Sequence, residues 1–346
     1  MSSGQRSERD ADVRADEWAP PDRQAVTGAG EQSRRKRRRR RGEAAVVPDA
    51  TFESYYGKPV IKVPTWSGRD IAGYLFLGGL AGGSSVLAAG AELTGRHRLG
   101  RVTKIAALAA ITGSLAALVH DLGRPARFVN MLRVFKPTSP MSVGSWILSA
   151  YGPPAGVAAV CSVTGWFPRT GRAATLVAGA LGPAVASYTG VLIADTAVPT
   201  WHEAHRELPF LFVASGASAA GGLAVLAASP GEAAPARRVL IAGTAAELAV
   251  MELIRRRIGL SAETLSTGTA GRYLTWARTL ALIGVAVGGV IGRRSRAASA
   301  IGGAAVLAAS ALTRFGVFAA GVASAEDPKY TVVPQRERLE RKAPPD

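Results

Sequence analysis

TKIAALAAITGSLAALV, residues 103–119, decides the fold. Lys104 is its one charged residue, and no polar stripe recurs at the third or fourth position, as it would on a soluble amphipathic helix. At about 1.5 Å per residue such a block nearly crosses a hydrocarbon core of about 30 Å. Similar blocks recur along the chain, separated by short polar connections, so the class is an all-α polytopic membrane bundle. Directly after the quoted block the chain turns polar in HDLGRPARF, residues 120–128.

Composition agrees. The chain has 346 residues, of which 48% are hydrophobic, and a net charge of +17 with a mean hydropathy of +0.15. Charge on that scale coexists with that hydropathy only if it is segregated along the chain. The single Cys161 excludes a disulfide framework and a cluster held by this chain alone, since an iron–sulfur cluster takes about four thiolates.

Residues 1–50 form a polar arm that carries RRKRRRRRG and has too little apolar content to bury a core; it reads as disordered, cytoplasmic and attracted to anionic membrane lipids. No apolar signal core follows the basic run, which excludes an export signal. A partner in nucleic acid is not expected for a membrane chain.

Eight spans are expected in the 51–325 domain, near 70–92, 101–119, 142–165, 172–195, 208–229, 237–254, 273–292 and 298–324, followed by a polar tail at 326–346. In the first, GGLAGG sets Gly78 and Gly82, and Gly79 and Gly83, one turn apart, the spacing that lets helices approach closely in lipid. An even count puts both termini on one side. Loop Lys and Arg are nearly balanced, so the basic arm and the KYTVVPQRERLERK tail assign that side to the cytoplasm. The connections after spans two and four, HDLGRPARFVNMLRVFKPTSP and DTAVPTWHEAHRELP, then share this face, and the opposite loops are short and basic.

His120, Asp121, Arg124 and Arg127 gather on the elaborate face with Asp195, His202, Glu203 and His205. Asp70 and Tyr74 stand one helical turn apart at the start of span one, and Tyr188 lies in span four. Taken singly, each has an ordinary role as an interfacial anchor, lipid contact or turn residue; their concentration on one face points to a site. Glu247, Arg278 and Arg314 fall inside spans, where an ionised group costs about 2.5–3.5 kcal/mol. They read either as a structural ion pair or as part of a proton route. The four histidines, His97, His120, His202 and His205, lie at span ends or in loops, so no facing pair exists for a haem, and no metal site is expected.

DLGRPARF, KPTSPMSVGSW, SYTG and ELPFLFVASGASAAGG, in that order, resemble the NrfD-like family of integral membrane subunits of polysulfide-reductase-type molybdenum enzymes. The resemblance covers about residues 52–325. It implies a subunit without haem or cluster of its own, which exchanges electrons with a quinone. Its partners would be a four-cluster ferredoxin-type iron–sulfur subunit and a molybdopterin catalytic subunit. It implies that Tyr188 contacts the quinone, with Asp70 and Tyr74 at places where some relatives carry Asn and His. His120 and Asp121 are the candidate proton relay; Arg124, Arg127, His202 and His205 fall to the partner interface. The partner's substrate stays open among formate, polysulfide and thiosulfate types. A secondary transporter is the competing reading, suggested by Gly-rich spans, buried charges and the AYGPPAG segment at 150–156.

Overall fold

A computed structural model describes residues 59–123, 126–228 and 231–342. The basic arm at 1–50 and Arg124 lie outside the described residues. Helices account for nearly all of the remainder: α1 Gly68–Leu93, α2 His97–Asp121, the short α3 Ala126–Met131, α4 Pro140–Thr164, α5 Pro168–Ala194, the short α6 Pro199–Glu203, α7 Leu208–Ala227, α8 Ala234–Arg257, α9 Gly268–Gly284, α10 Arg296–Glu326 and α11 Lys329–Lys342. A π turn at Val285–Val290 and a 3-10 turn at Ile291–Arg293 extend α9, and a second 3-10 segment, Gly259–Leu265, follows α8.

Local chemistry sets the ends. The hydroxyls of Ser67, Ser139 and Ser295 cap α1, α4 and α10 by accepting backbone N–H bonds. Gly165 ends α4 in the left-handed region, at φ 76°, and Pro168 opens α5 two residues after Trp166. Pro153, Pro154 and Pro183 stay inside helices, as neighbouring helices allow in lipid.

Among the described residues seven helices are long and apolar enough to cross a membrane. The eighth expected span is α8, whose 24 residues would rise about 36 Å but which carries Arg237, Arg238, Glu247, Glu252 and three arginines at its end. Its polarity is partly turned inward, with Arg237 and Glu247 buried. The described chain is thus a multi-pass bundle of seven apolar helices and one charged one. The tail, which sequence left without structure, forms α11.

α1, α2, α4 and α5 pack in a ring, and α7, α8, α9 and α10 make a second group. They join where α1 and α5 meet α7 and α10. The glycines of GGLAGG explain this seam. A Cβ on Gly83 would sit 2.5 Å from the Gly216 carbonyl oxygen of α7, and one on Gly82 would strike the Gly182 carbonyl of α5. No larger residue permits both approaches at once.

Candidate functional site

At the end of the first helix group where α1 begins and α2 ends, a cavity of about 220 Å³ opens between α1, α2, α4 and α5. Its walls are mainly apolar, including Ile71, Leu118, Met141 and Leu192, while Tyr74, Tyr188 and Asp121 supply polar atoms. The hydroxyls of Tyr74 and Tyr188 are hydrogen-bonded to each other and both side chains are buried. Two phenols hold two protons, and their mutual bond uses one. Among the described residues the other has no protein acceptor.

Tyr188 owes its position to Gly144. A Cβ there would run into the tyrosine ring, so the glycine of KPTSPMSVGSW makes room for the tyrosine of SYTG. The co-occurrence of these segments in one sequence therefore has a steric basis.

Above the tyrosines, the ends of α1 and α2 are clasped. His120 Nδ1 lies 2.9 Å from Asp70 Oδ2, with the imidazole 79% exposed and the carboxylate 24%. Asp121 Oδ1 accepts the Ser67 backbone N–H at 3.0 Å, while the Ser67 hydroxyl accepts from Asp70 N at 3.3 Å. In a capping box the acid at the third helical position bonds back to the cap residue's own N–H. Here Asp121 takes that N–H from a different helix, and Asp70 pairs with the histidine. The sequence reading grouped His120 with Asp121; the structure separates them into two contacts, His120 with Asp70 and Asp121 with Ser67.

The described partner-interface candidates, Arg127, His202 and His205, lie on the same end. His202 and His205 are exposed and stack with ring centroids 5.8 Å apart. Arg127 is exposed and donates to the Leu122 carbonyl at 2.9 Å. Asp195 caps α5, and Glu203 ends α6. Trp201, which sequence did not single out, anchors this loop: it is fully buried, stacks on Trp66 at 6.2 Å and donates Nε1–H to the Val317 carbonyl at 2.8 Å. Trp66 also lines the cavity, so the loop after α5 is tied to the wall of the site. Glu207, at the head of ELPF, is buried and ion-paired with Arg257.

The intramembrane charges occupy the second helix group. Glu247 accepts from the hydroxyls of Ser218 at 2.9 Å and Thr313 at 2.7 Å. Arg314 is fully buried, donates Nη2–H to the Phe212 carbonyl at 2.7 Å, and lies 3.9 Å over the Phe212 ring. Among the described residues no direct ion pair joins Glu247 to Arg278 or Arg314. Glu247 and Arg278 instead line a separate cavity of about 490 Å³ between α8, α9 and α10.

A bundle of membrane-length apolar helices with a mostly apolar, tyrosine-floored cavity at one end defines the class: a multi-pass membrane protein. The family profile described as "Polysulphide reductase, NrfD" matches residues 62–323, and the chain belongs to that family. Its members are membrane subunits of molybdopterin oxidoreductase complexes and interact with quinone. No curated protein matches the chain.

Proposed function

We propose that this chain is the quinone-reactive membrane subunit of a molybdopterin and iron–sulfur oxidoreductase complex, and that the Tyr74–Tyr188 cavity is where quinone binds. The observation that carries the reading is a mostly apolar cavity floored by two joined phenols with one uncommitted proton between them. The fit is to a ring and not to a whole isoprenoid chain. At about 220 Å³ the cavity is smaller than the roughly 300 Å³ at which sites for drug-sized ligands begin.

Reduction of a quinone consumes two electrons and two protons, and oxidation of a quinol returns them. Tyr188 gives its O–H to a ring oxygen and accepts the O–H of Tyr74. Asp70 lies one helical turn before Tyr74, and His120, bonded to Asp70, reaches water. The exchange of protons with water is assigned to His120 Nδ1 and Asp70 Oδ2, at the mouth of the helix pair that carries Tyr74. Asp121 has one oxygen committed to Ser67 N and lines the cavity.

His202, His205 and Arg127 belong to the seat of the iron–sulfur partner, a ferredoxin-type subunit with four clusters. Val129, Val134 and Phe135, which are 63%, 69% and 58% exposed beside Arg127 and Arg133, extend that seat with apolar surface. The chain lies in the cytoplasmic membrane with both termini in the cytoplasm, as the basic arm and tail favour.

The test is quinone-dependent turnover of the assembled complex carrying Tyr188→Phe. A loss of about tenfold or more, with assembly intact, is expected for one hydrogen bond to a reacting oxygen. Full retained turnover overturns the assignment of the site.

A further inference from the structure

The opposite end of the first helix group holds a different kind of cavity. It has a volume of about 400 Å³ and lies where α1 ends, α2 begins and α4 turns into α5. Arg96, Arg101, Lys104 and Arg172 line it against one carboxylate, Glu92. That carboxylate is already committed: Lys104 Nζ lies 2.6 Å from Glu92 Oε2, and both side chains are largely buried. Three guanidinium groups therefore face one cavity without an acid to balance them. Arg96 supplies a further sign of a missing partner, since its Nε is buried and has no hydrogen-bond acceptor.

The charge here does not come from the α2 terminus. Glu232 already accepts the backbone N–H bonds of Arg98 and Leu99, each at 3.1 Å. What remains is a side-chain cluster that calls for an oxyanion accepting several N–H donors, the chemistry of a phosphate.

The depth of the cavity distinguishes the sources of such a group. Trp166 and Phe167, 67% and 72% exposed in the α4–α5 turn, mark the headgroup level at which aromatic side chains anchor a membrane protein. Leu93, Val160 and Val163 are exposed next to it, on the flanks of α1 and α4. A ligand held here has its charge among arginines and apolar surface within reach on the membrane side.

We propose that this cavity binds the phosphate diester of an anionic phospholipid, with Arg96, Arg101 and Arg172 on the headgroup and the acyl chains along α1 and α4. Basic pockets between helices at the headgroup level bind such lipids by this combination of charge and depth.

The experiment uses the full chain, in whatever complex it forms, delipidated in mild detergent and titrated with phosphatidylglycerol or phosphatidylcholine under native mass spectrometry. A one-to-one adduct is expected with phosphatidylglycerol and not with phosphatidylcholine. Arg101→Gln with Arg172→Gln changes two exposed side chains and should weaken that adduct about fivefold per charge removed. The matched control, Arg293→Gln with Arg294→Gln on the same face outside the cavity, should leave it unchanged. Equal binding of both lipids, or equal loss in the control, overturns the site. Displacement of the lipid by excess inorganic phosphate overturns the lipid assignment in favour of a free-phosphate site.

Discussion

The tyrosine-floored cavity of the first helix group and the cavity of the second are built from opposite materials. Around Tyr74 and Tyr188 the walls are mainly apolar and the deep polar atoms are neutral phenols. Between α8, α9 and α10 the walls bring Glu247, Glu252, Arg255, Arg256 and Arg278 to a larger space. A flat neutral ring gains from the first environment, where little charge must be desolvated and one O–H stays uncommitted. The second suits water and ions. Buried charge therefore does not by itself locate the site for a hydrophobic substrate; an apolar wall with a small number of hydrogen-bond donors does.

Substitutions can break or sharpen that contrast. The largest effect is expected from Arg314, which joins the two groups: fully buried, it donates to the α7 backbone at Phe212 and approaches the α1 backbone at Leu75. Arg314→Ala should cost about 3 kcal/mol of stability, read as a lowered unfolding temperature in detergent and poor assembly. Next comes Gly144→Val, which pushes the Tyr188 ring from its place. It should cost about 1–3 kcal/mol of packing and abolish quinone-dependent turnover while the complex still assembles. Asp121→Asn keeps an acceptor for Ser67 N and leaves the His120–Asp70 pair in place, so stability should hold and turnover should fall by less than in Tyr188→Phe. The smallest effect belongs to Glu247→Gln. Ser218 and Thr313 keep backbone acceptors at Ser215 and Ala309, and quinone turnover in the other group should be unchanged. Reduced turnover in Glu247→Gln would show that the two cavities act as one route.

Much of this architecture was legible in sequence because lipid imposes a simple rule: an apolar block of about 20 residues is a span. Helix α8 obeys the rule least: Glu247 finds partners on α7 and α10, while Glu252 and Arg256 pair with each other on its exposed side. Tyr74, Tyr188, Asp70 and His120 were identifiable as types on one face, but their pairing was not. The Tyr74–Tyr188 bond spans 114 positions and the His120–Asp70 bond spans 50. Gly144 and Trp201 were missed for a related reason: a small residue or a tryptophan in an apolar chain acquires meaning only from what it touches. Ser67 did carry a local signal, since Ser-x-x-Asp before an apolar run marks a helix start.

The central claim is that quinone binds beside Tyr188 and not beside Glu247, and photolabelling with an azidoquinone tests it most directly. In the assembled complex the account predicts labelled peptides from α4 around Gly144 and from α5 around Tyr188, with the label lost in Gly144→Val. Label on the α8 and α9 segments around Glu247 and Arg278, unaffected by Gly144→Val, would contradict it.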